Sequence, residues 1–129
     1  MGQGASPGAG DYRVCMSVAE VPGLKVTGHI DASGGRVAAE GFLDLSTAGH
    51  LVEVVGELLR SGQPGPLALD LAEVSFCDSA GITALVRIRH ECDELSWRLE
   101  VVNMSDPVRR VVVDLTGLGP FLNVAGDSA

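Results

Sequence analysis

The fold is decided by residues 67–82, which read LALDLAEVSFCDSAGI. Residues 67–71 are nearly all aliphatic, which is typical of a short strand buried in the centre of a sheet. We expect a short loop next, and then a helix capped by Asp78 or Ser79, whose side-chain oxygens can accept bonds from backbone N–H groups. The stretch therefore predicts a strand, a loop and a helix, as in an α/β protein.

Downstream of this stretch, the pattern predicts one more strand and one more helix. In the helix after Asp78, the apolar residues Ile82, Leu85 and Val86 share a face. A strand follows over residues 99–102, and Ser105-Asp-Pro107 begins a third helix, because proline is tolerated in the first turn. The valine run would favour a strand by propensity, but the capping signals favour a helix. Its expected buried stripe is Val108, Val111, Val112 and Leu115, with Gly117 just past its end.

Upstream, alternating apolar and polar residues predict strands over 12–18, 24–30 and 36–43. From Ser46 or Thr47 the apolar spacing changes to that of a helix, which Ser61-Gly62 ends. The apolar face of this helix comprises Leu51, Val54, Val55, Leu58 and Leu59. Strands alternating with helices predict an α/β fold in which helices pack on a sheet.

Composition limits the classes of partner. The 129 residues suit one domain, and with 46% apolar but only 4% aromatic residues its core must be aliphatic. The net charge of −8 argues against nucleic acid and against anionic membranes as partners. A basic patch on another protein is the more plausible target.

The cysteines, histidines and ends of the chain suggest a cytoplasmic protein without a metal. Three scattered cysteines, Cys15, Cys77 and Cys92, are expected to be reduced thiols, because their spacing forms no disulfide framework. The three histidines form no pair with metal-ligand spacing. No apolar run approaches the ~20 residues of a membrane span. Residues 1–10 lack the features of a signal peptide and are expected to form a flexible tail.

Ser79 is the candidate functional residue, and three interpretations are open. It could be no more than part of a helix cap. A serine hydrolase would need glycine two residues before and after the nucleophile, but Cys77 takes the first of these positions and no histidine is placed as a base. A phosphate-binding loop is absent from the sequence, because neither GxxxxGK[ST] nor GxGxxG occurs.

Four motifs resemble those of STAS domains, the fold of bacterial anti-sigma-factor antagonists. FCDSAGI at 76–82 resembles the family's DSSG segment, and EGFLD at 40–44 resembles its G-x-L-D strand end. The central strand at 67–71 and the closing segments at 101–110 and 115–118 follow in the family's order. The resemblance spans residues 12–124 and implies an α/β STAS fold, with a mixed central sheet and helices mainly on one face. It implies a single STAS domain over residues 11–125, with tails at 1–10 and 126–129.

The resemblance also implies which residues are functional. Ser79 matches the serine that the partner anti-sigma factor, itself a serine kinase, phosphorylates. Asp44 and Asp78 are expected beside it and, with Ala80 and Gly81, to form the face that binds the partner. Gly81 is expected to let another chain approach the backbone closely. Ala80 departs from the family's second serine and removes a hydroxyl near the acceptor.

The implied function is a binding switch without catalysis, cofactor or metal. The unmodified protein binds the anti-sigma kinase and frees the sigma factor, phosphorylation of Ser79 reverses this, and a phosphatase resets it. The alternative is a STAS module that is never phosphorylated and acts as a scaffold or ligand-binding subunit of a larger assembly. Residues 24–35 depart from the pattern and are interpreted as an insertion or longer hairpin, most simply a lengthened surface loop.

Overall fold

Five strands form one mixed sheet in the computed structural model, which describes residues 15–124. The order across the sheet is the order along the chain. The first three strands are antiparallel neighbours, whereas the third, fourth and fifth run parallel to one another. The strands are β1 (Cys15–Val21), β2 (Leu24–Asp31), β3 (Gly34–Leu43), β4 (Pro66–Cys77) and β5 (Arg98–Val102).

Two long helices connect the parallel strands, as such strands require. Helix α1 (Ala48–Ser61) joins β3 to β4, and α2 (Ser79–Glu94) joins β4 to β5. After β5 come α3 (Asp106–Arg109), a π-helix (Arg110–Leu115) and α4 (Gly119–Leu122). No helix within residues 15–124 is long and apolar enough to cross a membrane.

One face of the sheet carries the core and the other is open. Alternate residues of β2 and β4, such as Val26 and Leu69, are buried in the same cluster as Leu51 and Leu85 of the long helices. The residues that alternate with them along the strands, such as Thr27, point to the opposite side and remain accessible. An ion pair between Arg36 and Asp70, with an N–O distance of 2.6 Å, lies on that open side. The predicted α/β class, with a mixed sheet and helices mainly on one face, is confirmed. The expected apolar face of α1 is confirmed in full.

The predicted strand at 24–30 and the hairpin interpretation are confirmed, and the interpretation of residues 24–35 as a lengthened surface loop was wrong. The segment supplies β2, which pairs with β1 on one side and β3 on the other. Leu24, Val26 and Ile30 are buried, and Gly28 lies so close beneath α1 that an added Cβ would stand 2.1 Å from Leu58 Cδ1. The segment is therefore an inner strand of the sheet.

Strand β4 is longer than its apolar run predicts. The expected loop at 72–77 is instead the second half of the strand, because the register with β3 shifts twice. Each bulge adds a residue, so two consecutive residues are exposed at 72–73 and again at 75–76, which breaks the alternation. The bulges carry the strand on to Cys77, directly before the candidate site.

The segment after β5 follows its capping signals at the start and departs from the prediction at its end. Ser105 is the residue before α3, and Val108 and Val112 are buried. The α-helix then continues as the wider π-helix. Leu115, which was expected in the buried stripe, is 74% exposed. A π-helix rotates each later residue away from its α-helical direction, which accounts for the error. Gly117 has a φ of +67°, as expected past the helix end, but α4 was not predicted.

Trp97 fills the end of the core opposite the candidate site. Its side chain is 4% exposed, and its indole N–H donates to the carbonyl of Leu59 at 3.1 Å. Gly35, near the start of β3, and Gly62, just after α1, both lie against the indole ring. The expected tails at 1–10 and 126–129 and the predicted strand residues before Cys15 lie outside the described residues.

Candidate functional site

The site lies where the parallel strands β3 and β4 end side by side. Leu43 and Cys77, their last residues, are register partners. The next residue of each segment is an aspartate, Asp44 or Asp78, and the N–H of Asp78 donates to the carbonyl of Leu43 at 3.2 Å. The fold thus brings together the two carboxylates that the sequence places 34 residues apart.

Asp78 caps α2. Its Oδ1 accepts from the backbone N–H groups of Ala80 at 2.9 Å and Gly81 at 3.2 Å. These two N–H groups of the first turn of α2 are therefore already bonded and are not free to attract an anion to Ser79. Because the cap is itself a carboxylate, an anion added at Ser79 meets a negative charge where a free helix terminus would attract it.

Ser79 is the first residue of α2 and is exposed. Within residues 15–124, no group forms a hydrogen bond with its Oγ, whereas its carbonyl accepts from Thr83 Oγ1 at 3.1 Å. The hydroxyl is accessible to another molecule, and its backbone is held at the end of a capped helix. No histidine within residues 15–124 forms a hydrogen bond with Ser79 Oγ, as the base of a Ser–His pair would.

Asp44 is held by the turn that leads into α1. Its Oδ1 accepts from the N–H of Ser46 at 3.0 Å and from Ser46 Oγ at 2.7 Å. The buried hydroxyl of Thr47 bridges the Asp44 N–H at 3.0 Å and the Phe42 carbonyl at 2.8 Å. These bonds, led by that from Ser46 Oγ, lower the pKa of Asp44 below 3.8, so the carboxylate is charged at neutral pH.

Gly81 is buried and packs against its own chain. A Cβ added there would stand 2.7 Å from the carbonyl oxygen of Leu43 and 2.8 Å from Cys77 Sγ. The sequence predicted that another chain would approach this glycine closely, whereas in the structure the close neighbour is the end of β3 of the same chain. Gly81 allows α2 to begin directly against the strands, which fixes the position of Ser79.

A groove of about 280 Å³ between α1 and α2 opens beside Ser79. Ala80 forms part of its wall, so the missing hydroxyl leaves an apolar surface. Leu45, which the sequence analysis did not single out, stands at the mouth of the groove and is 85% exposed. Its position between Asp44 and Ser46, outside any helical or strand periodicity, was the available signal. The groove is lined by Leu45, Ala48, Gly49, Val52, Ala80, Thr83, Ala84 and Arg87.

Cys77 lies next to the site at the end of β4, whereas Cys92 lies near the other end of α2, where its carbonyl accepts from the N–H of Trp97. Cys77 and Cys92 are buried free thiols, as predicted, while the side chain of Cys15 lies outside the description. Burial raises the pKa of Cys77 to about 11 and that of Cys92 to about 12. Among residues 15–124 no three His, Cys, Asp or Glu side chains are grouped to hold a metal ion.

The fold and this strand-end arrangement define a class of protein. A family model described as "Mlab, STAS domain" matches residues 17–123. The chain belongs to the STAS domain family. No curated protein matches it.

Two solved structures share the fold over most of the chain. An anti-sigma factor antagonist from Mycobacterium paratuberculosis aligns with a TM-score of 0.61 and 23% identity, over 87% of this chain and 85% of that one. The anti-sigma factor antagonist SpoIIAA in its unphosphorylated form aligns with a TM-score of 0.61 and 19% identity, over 88% of this chain and 90% of that one. At these identities the likeness establishes the fold alone.

Proposed function

We propose that the protein is an anti-sigma factor antagonist that binds an anti-sigma serine kinase when unmodified and is released when Ser79 is phosphorylated. The observation that carries the proposal is the exposed, unbonded Ser79 hydroxyl at the start of α2, beside the Asp78 cap and the end of β3. The family and the two antagonists of like fold support it. The protein acts in the cytoplasm as a substrate and binding partner, without a catalytic activity or cofactor of its own.

The switch follows from charge at the acceptor. The kinase supplies ATP, Mg²⁺ and a catalytic base. Ser79 Oγ bonds to the γ-phosphorus as the bond to the β–γ bridging oxygen breaks; ADP leaves, and the hydroxyl proton passes to the base of the kinase. Phosphorylation adds about −1.5 to −2 charges. Since the N–H groups of Ala80 and Gly81 are already bonded to Asp78, they are not free to bind the phosphate. The added charge instead repels Asp78 and loses its hydration when the partner docks. A total cost of ~1.4 kcal/mol from these two effects weakens binding tenfold.

The partner face consists of Asp44, Asp78, Ser79 and Ala80, with Gly81 buried behind them. Leu45 and the groove next to Ala80 add an apolar anchor to this acidic face. A partner with basic residues around an apolar side chain is complementary to it. A phosphatase that removes the phosphate from Ser79 restores the binding form.

The deciding experiment is phosphopeptide mapping after reaction with each purified anti-sigma kinase and ATP, with binding titrated by calorimetry. We expect Ser79 to be the sole labelled residue. Ser79→Ala should abolish labelling and keep the fold and binding, and Ser79→Asp should weaken binding. Ser75 and Ser105 are the control residues and should stay unlabelled, because their hydroxyls already donate to the carbonyls of Gly41 and Val74, respectively. Label that persists in Ser79→Ala, or a phosphorylated protein that binds as tightly as the unmodified one, contradicts the proposal.

The alternative of an unphosphorylated STAS scaffold is favoured by one feature, Ala80. It lines the groove with an apolar surface where the family has a hydroxyl, so the groove can bind an apolar partner segment without any modification. Under this alternative, Ser79 is never labelled, and a substitution that fills the groove, such as Ala80→Leu, abolishes assembly.

A further inference from the structure

Two phenylalanines lie side by side on the open face of the sheet, close to the site. Phe42 of β3 and Phe76 of β4 are register partners. The residue after each, Leu43 or Cys77, is buried on the helix-covered side, so both phenyl groups are on the other side. They are 49% and 48% exposed, which leaves an aromatic pair in contact with solvent.

The next row of the same face holds two glutamates directly opposite each other. Glu40 and Glu73 are register partners in β3 and β4, and both are exposed. Like charges directly opposite in a sheet are destabilising. Lys25 lies across from Glu40 on β2, but within residues 15–124 no salt bridge joins a cation to Glu40 or Glu73. The two rows therefore present exposed aromatic surface and two carboxylates that form no salt bridge within residues 15–124.

We call this surface the strand-end patch and define it as Phe42, Phe76, Glu40 and Glu73. Its negative charge and aromatic rings determine which class of partner can bind there. A second copy of the chain would bring two further glutamates against the first two, and anionic lipid or nucleic acid would be repelled in the same way. A guanidinium group fits both rows, because it stacks on an aromatic face and pairs with carboxylates. The complementary surface is thus that of a protein presenting an arginine.

We propose that the strand-end patch docks an arginine side chain of the anti-sigma factor, so that the interface extends from Ser79 around the strand ends onto the open face. This inference rests on the proposed function. Phe76 is three residues before Ser79, and at about 3.3 Å per residue the two lie within roughly 10 Å of each other along the chain. A standard interface buries about 800 Å² on each partner, which is enough to cover both.

The patch and the acceptor have separable effects on binding. Contacts at the patch are made by the unmodified and the phosphorylated protein alike, whereas the charge on Ser79 distinguishes the two forms. Patch substitutions should therefore weaken both forms by the same factor, because independent sites contribute additively to the free energy of binding. The ratio of the two dissociation constants then reports on the Ser79 switch, and their absolute values report on the patch.

The test is a calorimetric titration of the full chain, unmodified and phosphorylated, against each purified anti-sigma kinase of the source organism. Phe76→Ala and Glu73→Gln should each weaken binding of both forms about tenfold or more, as for residues central to an interface. Glu73→Gln removes one charge of an exposed like-charged pair, so it should fold at least as well as the parent. Val18→Ala and Glu100→Gln alter exposed residues elsewhere on the open face and should change binding by less than about twofold.

The outcomes separate the two proposals. Wild-type affinity for both Phe76→Ala and Glu73→Gln, in a protein whose phosphorylation weakens binding, overturns the patch and leaves the switch standing. Weakened binding by both variants with equal affinity of the unmodified and phosphorylated forms supports the patch and contradicts the switch. If no anti-sigma kinase binds the unmodified protein, both proposals fall.

Discussion

At the scale of single residues, Asp78 combines two roles that substitution can separate. Its carboxylate caps α2 and also places a negative charge beside Ser79. Asp78→Ala should lower the free energy of unfolding by about 1 kcal/mol, because two backbone N–H groups lose their acceptor. Asp78→Asn keeps an acceptor at the same position and should stay close to the parent in a urea melt. Equal losses in the two variants would mean that the charge, and not the cap, stabilises the helix.

The thiols provide a second residue-scale prediction, on alkaline stability. Burial raises the pKa values of Cys77 and Cys92 from 9.0 to about 11 and about 12. As the pH rises, the unfolded chain loses the two thiol protons before the folded protein does. The contribution of the thiols to the free energy of unfolding is therefore complete below pH 9 and is lost as the pH rises through the folded pKa values. The urea midpoint of each protein is measured from pH 8 to pH 11 and compared with its own value at pH 8. It should fall less in the double variant Cys77→Ala/Cys92→Ala than in the parent.

The same thiols should be kinetically protected. At pH 8, a thiol reagent should leave both unreacted in the folded protein, since the thiolate is the reactive form, and label them after denaturation. All three cysteines are expected to react in denatured, unreduced protein. A stable intramolecular disulfide would contradict the reduced state assigned to the chain.

The candidate site residues carry local signals in the sequence, so motifs alone could propose them. Asp44, Asp78 and Ser79 were all identified from motifs, and the structure places both carboxylates at adjacent strand ends. The role of Gly81 was not derivable in the same way, because its closest neighbour, Leu43, is 38 residues away in sequence. The exposure of Leu45 likewise depends on how the turn after β3 is held by Thr47.

At the scale of elements, the contact between α1 and β2 can be measured directly. Leu58→Ala should cost roughly 2–5 kcal/mol, because it leaves a cavity over the strand. Gly28→Ala should cost about 1–3 kcal/mol, since its Cβ would strike the Leu58 side chain. The double variant should lose less than the sum of the two, because truncating Leu58 removes the clash.

Urea unfolding of the four proteins in this cycle tests the contact. Glu53→Ala, on the exposed side of α1, is the matched control and should stay within about 0.5 kcal/mol of the parent. Strict additivity of Gly28→Ala and Leu58→Ala would show that α1 does not lie on β2 through these two residues.

Element prediction succeeded where periodicity was regular and failed where the backbone departed from it. The amphipathic pattern of α1 and the cap of α2 were sufficient to predict both helices. The bulges hid the second half of β4, because two successive exposed residues imitate a loop. The π-helix misplaced Leu115, since a wider turn changes which residues face the core. The bulges depend on the pairing of β4 with β3, which local sequence does not encode.

At the scale of the whole molecule, the two ends of the sheet have different properties. One end holds the strand-end carboxylates, the exposed Ser79 hydroxyl and the strand-end patch, and the other holds Trp97 under the end of α1. From Gly35 to Leu43, β3 spans roughly 25 Å between them. The net charge of −8 favours approach by a basic partner. One core cluster extends from Leu43 at the first end to Trp97 at the other.

This separation gives the protein an intrinsic optical probe of folding. Trp97 is the sole tryptophan of the chain, and its buried indole is bonded to α1 at the end away from Ser79. Its emission will shift when the core opens to water and will remain constant when a phosphoryl group or a partner arrives at the far end. Fluorescence can therefore follow unfolding in the presence of the kinase, provided that the kinase lacks tryptophan or its signal is subtracted.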